Sequence, residues 1–252
     1  MTTQPHGIAP EARITAPLPP HTDKVVHLDH AMRLFRDGMT LMYGGMGGVG
    51  TPPTLTRAIL EKGVTDLYLI GNDAGFPQVG PGPLFVHSRV RRLLASHIGS
   101  NPVAGEQMNR GELQVEFSPQ GTLAERIRAG GMGLGGILVD VGLGTVAEEG
   151  KEKLSMDGRT FLVEPALVAE VSIVYASKAD PLGNLVFDKT ARNFNPLVAM
   201  AGEITIAEAV EIVPVGALDP ECIVTPGIFV DMVVQSQGVH WTWAWEQQEE
   251  RV

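Results

Sequence analysis

The stretch LMYGGMGGVG, Leu41 to Gly50, runs an apolar segment into the pattern G-x-G-x-x-G at Gly45, Gly47 and Gly50. An apolar strand that ends in a glycine turn and continues into TPPTLTRAILEKG, Thr51 to Gly63, opens a βαβ unit. Such a turn serves a dinucleotide fingerprint, a loop that points bare N–H groups at an anion or a carbonyl oxygen, or a purely structural bend. The fingerprint needs a helix that begins inside the motif and an acid about 20 residues on. Asp73, closing DLYLIGND, supplies the acid. The helix fits poorly, because one already running through Gly50 would hold Pro52 and Pro53 in its interior. Thr51 and Pro52 read instead as N-cap and N1 of a new helix.

Outward from this unit the alternation continues. LDHAMRLFRDG precedes it as a helix, and DLYLIG, ASHIG, LQVEF, GILVD and VSIVYAS read as strands. TLAERIRAGG reads as a helix with a Thr122/Glu125 capping box and a glycine stop. The expected fold is α/β, an open, mainly parallel sheet with helices on both faces and functional loops at the carboxyl ends of its strands. No internal repeat stands out. Residues 1–24 are expected to form a disordered N-terminal arm, 25–235 one domain and 236–252 a Trp-rich tail.

Composition bounds the function. The 252 residues are 44% hydrophobic and 19% charged, no apolar run approaches the length of a membrane span, and residues 1–24 lack the basic start and apolar stretch of a leader. A cytoplasmic chain without a membrane partner is expected. A formal charge of -10 argues against nucleic acid, whose phosphates call for clustered Lys and Arg. The one basic run, RVRR at Arg89 to Arg92, reads as the solvated face of a helix flanked by His87 and His97, two structural histidines. Cys222 is the single cysteine, fits a reducing compartment and is expected to be a small buried hydrophobe. Glu148 and Glu149, in EEGKE, read as a solvated face. No metal-ligand spacing is present.

DGMTLMYGGMGGVGTPP, from Asp37 to Pro53, resembles the glycine-rich signature of the alpha subunit of family I coenzyme A transferases. NDAG at 72–75, SHIGSNP at 96–102, PQGTLAERIRAGG at 119–131, GTVAEEGKE at 144–152, LGNLVF and TARNFNP within 182–196, and TPGIFVD at 225–231 extend the resemblance over about residues 25–235. It is closest to the acetate/butyrate:acetoacetate type. The resemblance implies transfer of CoA from an acyl-CoA to a short-chain carboxylic or 3-oxo acid through a glutamyl-CoA thioester. The nucleophilic glutamate lies on a beta subunit, in a Ser-Glu-Asn-Gly context. This sequence holds no Glu-Asn pair, so no catalytic residue is expected on this chain and a beta-subunit partner is, in an α2β2 or larger hetero-oligomer. No cofactor beyond the substrate coenzyme A is implied.

Carried over by motif, Gly44, Gly45, Met46, Gly47, Gly48, Val49 and Gly50 form the CoA-binding loop, assisted by the N-terminus of the helix that follows. Gln120, in PQGT, is implied near the acyl group, where its amide stabilises a developing oxyanion; a residue that merely leads into the Thr122 helix is the alternative. Asn72 and Asp73 match polar residues of the substrate site, or are Asx-turn formers without function. Two departures bear on specificity: Met46 stands where the signature usually has phenylalanine, and Val139, Asp140 and Val141 stand where relatives commonly read Thr-Pro-Thr. Trp241, Trp243 and Trp245 recur at period two and suggest a terminal strand docking on this chain or a neighbour. Other functions that remain open are a noncatalytic CoA-binding or regulatory homologue and a nicotinamide-dependent oxidoreductase.

Overall fold

The structure is a computed structural model and describes residues 23–242. In chain order its elements are α1 (Leu28–Met32), β1 (Thr40–Tyr43), α2 (Pro53–Lys62), β2 (Leu67–Ile70), α3 (Gly82–Val86), β3 (Val90–Ala95), α4 (Pro102–Asn109) and β4 (Gln114–Phe117). They continue with α5 (Gln120–Gly131), β5 (Gly136–Val139), β6 (Lys153–Met156), β7 (Arg159–Pro165), β8 (Ala169–Ala179), β9 (Leu185–Val186), α6 (Asn195–Met200), β10 (Gly202–Ile212) and β11 (Met232–Gln235).

The main sheet has the order β11-β10-β8-β1-β2-β3-β4, parallel throughout, with the short β9 antiparallel to β8. Strands buried on both faces read as near-continuous apolar runs, as LMY and LYLI do. Alternate side chains of β1 divide between two cores. Leu41 and Tyr43 join Ala31, Leu55, Ile59 and Phe85 on one face, whereas Met42 joins Leu123, Ile127, Val198 and Ala199 on the other. Helices therefore cover both faces, as the α/β alternation predicts. β5, β7 and β6 form a separate antiparallel sheet. Among the described residues no helix is long and apolar enough to cross a membrane.

Several local expectations are corrected. The helix expected over LDHAMRLFRDG ends at Met32. RVRR enters β3 and is not helical, because Arg92 stacks 4.4 Å over the Tyr68 ring of β2 and pairs with Glu116 of β4 at 2.9 Å, partners that only a strand between them reaches. Within ASHIG only Ala95 belongs to a strand. The capping box is absent: α5 begins at Gln120 behind Pro119, Thr122 is buried in its first turn, and Glu125 pairs with Arg128. Cys222 is an exposed free thiol beside Asp219 rather than a buried hydrophobe. Trp241 is buried, while Trp243 and Trp245 lie outside the described residues.

An internal repeat is present after all. GMGGVGTPP at 45–53 and GFPQVGPGP at 75–83 share Gly45/Gly75, Val49/Val79, Gly50/Gly80 and Pro53/Pro83, and both segments follow neighbouring parallel strands.

The N-terminus of α2 is closed by the protein itself. Glu208 of β10, fully buried, accepts the Thr54 N–H at 3.1 Å and the Leu55 N–H at 3.0 Å, with the Ser236 hydroxyl donating at 2.6 Å. The N-cap is Pro52, one residue later than expected, and it offers no side-chain acceptor, so a carboxylate from across the sheet takes that role. Burial raises the Glu208 carboxyl above its usual range despite these donors. Glu208→Ala leaves buried helix donors without an acceptor and should lower stability by about 1–3 kcal/mol per orphaned group, read as a fall in Tm. The raised pKa means that the folded chain holds the Glu208 proton more tightly than the unfolded chain. Its contribution is therefore greatest below the unfolded value of 4.5 and is lost as pH rises through the folded one. Denaturation of wild type and Glu208→Gln at a series of pH values should show this loss in wild type alone.

Candidate functional site

From the β8–β1 pair the chain builds the sheet in opposite directions, β2 to β4 on one side and β10 and β11 on the other. Loops leaving such a pair diverge and open a crevice at the carboxyl edge. Residues 44–50 leave β1 at this point. Met46 and Val49 exchange both backbone hydrogen bonds, at 3.0 and 3.1 Å, around Gly47 and Gly48, whose φ of 59° and 89° lie in the left-handed region. The turn is a two-residue hairpin of the type that wants φ > 0 at both centres.

The other glycines serve packing. A Cβ at Gly44 would overlap the Asn195 side chain, one at Gly45 would overlap Thr51, and one at Gly50 would overlap the Ala191 carbonyl. Two asparagines of TARNFNP clamp the loop, Asn193 from just before α6 and Asn195 from its first residue. Asn193 accepts from Gly45 N–H at 3.1 Å and donates to Val49 O at 2.8 Å; Asn195 donates to Gly50 O at 2.9 Å and accepts from Tyr175 N–H of β8 at 3.0 Å. Neither was singled out as a site residue from the sequence. Their recurrence as NFN before Pro196 was the available signal.

Asn72, Asp73 and Gln120 converge on the same turn. Asp73 is 5% exposed, and its Oδ2 accepts Gly47 N–H at 2.7 Å and Asn72 Nδ2 at 2.8 Å, while Oδ1 accepts Gly75 N–H at 2.8 Å. Tyr43 of β1 donates its hydroxyl to the Asp73 carbonyl at 2.5 Å, and burial followed by the Asp73 charge raises the phenol well above its usual range. Gln120, at the start of α5, donates through Nε2 to Asn72 Oδ1 at 2.7 Å and lies 3.7 Å from Met46 Sδ. Ser96, just past β3, fixes Asn72 by donating to its carbonyl and to Oδ1, at 2.8 and 3.0 Å. Strands β1 and β3 and helix α5 thus each deliver one member of a contiguous polar cluster, and the end of β2 delivers two.

The hydrogen-bond pattern narrows what the loop offers a ligand. Gly44, Gly45, Met46, Gly47 and Val49 all spend their N–H groups inside the protein, on Ile173, Asn193, Val49, Asp73 and Met46 respectively. The α2 N-terminus, expected to lend positive charge, already faces Glu208. These donors are therefore not offered to a pyrophosphate as in a dinucleotide fold, and Asp73, the acid in the ribose position, is buried and spent on three donors of its own chain. What stays accessible is the Met46 side chain, the turn at Gly47 and the Gln120 amide, whose second hydrogen meets only the weak Met46 sulfur acceptor.

Residues 75–80 repeat the hairpin plan. Phe76 and Val79 exchange backbone hydrogen bonds at 3.2 and 3.0 Å, and Gly75 and Gly80 both have φ of 63°. Beside the cluster lies a cavity of ≈ 930 Å³ between the start of α5 and the small sheet, lined by Ser96, Pro119, Arg126, Lys151 and Glu164 among others. Glu149 lines this cavity as well, whereas Glu148 is held by Gly144 N–H and Lys153, both at 2.7 Å. The Lys153 hydrogen bond lowers the Glu148 carboxyl below its usual range. Val139, Asp140 and Val141 lie at and just past the end of β5, where Asp140 pairs with Arg159 at 2.7 Å. Among the described residues no three of His, Cys, Asp and Glu come together as a metal site.

The coenzyme A transferase family matches residues 25–236. The chain is 59% identical over 224 residues to a Bacillus subtilis (strain 168) protein named "Probable coenzyme A transferase subunit alpha", covering 88% of this chain and 98% of that one. It is 52% identical over 214 residues to the acetate CoA-transferase subunit alpha of Escherichia coli (strain K12), covering 85% and 97%. An acyl-CoA transferase from E. coli O157:H7, solved as a thioester complex with CoA, has the same fold, with a TM-score of 0.80 at 23% identity over 88% of this chain. The chain spans about half of that protein, 49% of its length.

Asp73→Ala removes the acceptor common to both hairpins and should cost about 1–3 kcal/mol. The Gly47 and Gly75 amides should then exchange with solvent faster than in wild type, measured by hydrogen exchange on peptides covering 44–52 and 73–82. Equal exchange in both proteins would mean that the carboxylate does not hold the turns.

Proposed function

The chain belongs to the coenzyme A transferase family, and we propose that it is the alpha half of an enzyme that moves CoA from an acyl-CoA to a short-chain carboxylic or 3-oxo acid in the cytoplasm. Relatives named as alpha subunits imply a beta partner. The full reading adds an α2β2 or larger assembly and a nucleophilic glutamate on the beta chain, with no cofactor beyond CoA itself. That glutamate attacks the thioester carbonyl, the C–S bond breaks, and CoA leaves as a thiolate from an acyl-glutamyl anhydride. The thiolate then attacks the glutamyl carbonyl, releasing the first acid and leaving glutamyl-CoA. The acceptor carboxylate reverses the sequence. Retaining the thioester on the enzyme keeps its energy from water between half-reactions.

The observation that carries the proposal is the meeting of Gln120, Asn72 and the 46–49 turn at the switch point of the sheet. Gln120 is the group best suited to the reacting oxygen, because Asn72 fixes its amide while its other N–H meets only the weak Met46 thioether, an acceptor that a ligand oxygen would displace. Asn72 acts through Gln120, and Asp73 acts through the loop. Since Glu208 already occupies the α2 N-terminus, the loop suits the uncharged thioester end of acyl-CoA better than its phosphates. The adjoining cavity gives the acid's tail room.

Two measurements test this. The chain alone should transfer no CoA, and addition of its beta partner should restore turnover; robust transfer by the isolated chain would overturn the half-site. In the assembled complex Gln120→Ala should lower kcat by up to about 100-fold with a much smaller change in acyl-CoA affinity, as for loss of a single oxyanion donor. A fall in Tm with unchanged kcat would instead make Gln120 a structural residue at the head of α5.

A further inference from the structure

The second glycine hairpin has no role in the proposal above, although it repeats the first in sequence, in its closing hydrogen bonds and in place. GFPQVGPGP lies 30 residues after GMGGVGTPP and is identical to it at four of nine positions. Each copy closes through a pair of hydrogen bonds between residues three apart, Met46 with Val49 and Phe76 with Val79. Each is bounded by glycines with positive φ, Gly45 and Gly50 in the first, Gly75 and Gly80 in the second. Because β1 and β2 are adjacent and parallel, the two turns leave the same edge side by side.

They also touch. A Cβ built on Gly80 would come 3.1 Å from the Gly48 Cα, and one built on Gly47 would come 4.0 Å from the Phe76 ring. Asp73 holds the two turns in one frame, with Gly47 N–H on one oxygen and Gly75 N–H on the other. The centre of the second turn is Pro77-Gln78 in place of Gly47-Gly48, so it has a fixed φ where the first turn is free to take left-handed angles. Phe76 corresponds to Met46, and both side chains remain accessible, Met46 at 46% and Phe76 partly. Met46 sits against the Gln120 amide and Phe76 against the tip at Gly47.

We propose that the 75–80 hairpin is a second wall of the acyl-CoA site and that Phe76 is a substrate-contacting residue, its ring packing on the uncharged stretch of acyl-CoA next to the thioester. The inference rests on the CoA-transferase reading. Two apolar side chains from paired turns, with one amide between the sheet edge and the ligand, form a slot for methylenes and a thioester carbonyl. A rigid ring on a proline-set turn provides the flat surface that the flexible Met46 thioether does not.

The test is Phe76→Ala and Phe76→Leu in the assembled alpha–beta complex, with steady-state kinetics, Tm, and acetyl-CoA binding by calorimetry. Loss of contact from a partly exposed ring should raise KM and Kd for acetyl-CoA about tenfold in Phe76→Ala, less in Phe76→Leu, with kcat within about threefold of wild type and Tm little changed. Unchanged KM and Kd would overturn the inference. So would a lower Tm and kcat with unchanged Kd, which would make Phe76 a buttress of the Gly47 turn only. If the wild-type complex transfers no CoA, the transferase reading fails, and the acetyl-CoA Kd of wild type against Phe76→Ala still decides whether the hairpin binds the ligand.

Discussion

The Asp73 carboxylate accepts the Gly47 N–H on one oxygen and the Gly75 N–H on the other, and it does so while 5% exposed and with no cation paired to it among the described residues. Its charge is balanced by oriented donors: two backbone dipoles and the Asn72 amide. Such charge-assisted bonds are stronger than neutral ones, and their loss strands donors in a dry site. Asn72 in turn reaches Gln120 and Ser96, so one carboxylate at the end of β2 sets the spacing between two hairpins and the amide at the head of α5. A displacement of Asp73 would move every accessible group of the crevice at once.

The same economy explains why the glycine pattern misleads. Gly44, Gly45 and Gly50 are demanded by neighbours that would collide with a Cβ, and Gly47 and Gly48 by left-handed backbone in the turn. G-x-G-x-x-G therefore arises from two unrelated constraints, neither of them a pyrophosphate. The helix that should have received the phosphate starts late, behind two prolines, and its donors are taken by Glu208. A carboxylate from β10 thus ties the far half of the sheet to the loop's helix and removes the anion site in the same step.

The architecture was legible because buried parallel strands write themselves as short apolar runs and helices as periodic ones; TLMY, LYLI and the long strand through VSIVYAS all appear where the pattern places them, whereas GILV forms a strand of the small antiparallel sheet. RVRR defeated the pattern because Tyr68 and Glu116, which hold Arg92 in a strand, are remote in sequence. Thr122 and Glu125 carry the local signal of a capping box, whereas the start of α5 at Gln120, behind Pro119, depends on where β4 ends. Asn72, Asp73 and Gln120 could be picked out by type and by resemblance. That Asp73 braces the loop, that Asn193 and Asn195 clamp it, and that the 75–83 segment doubles it are facts of three-dimensional pairing.

The crevice also bears on where the nucleophile comes from. A carboxylate that attacks a thioester needs a free lone pair and a path to the carbonyl carbon. The two carboxylates that frame the glycine turn are both held from within the protein: Asp73 accepts from Gly47, Gly75 and Asn72, and Glu208 from Thr54, Leu55 and Ser236. Both are buried, and both would abandon structural donors in order to react. In the proposed reaction the Gln120 amide meets the developing negative charge, and the carboxylates around the turn are committed to holding its geometry. On the proposed reading the attacking carboxylate comes from a second chain, while Asp73 and Glu208 stay with the donors that hold the turn.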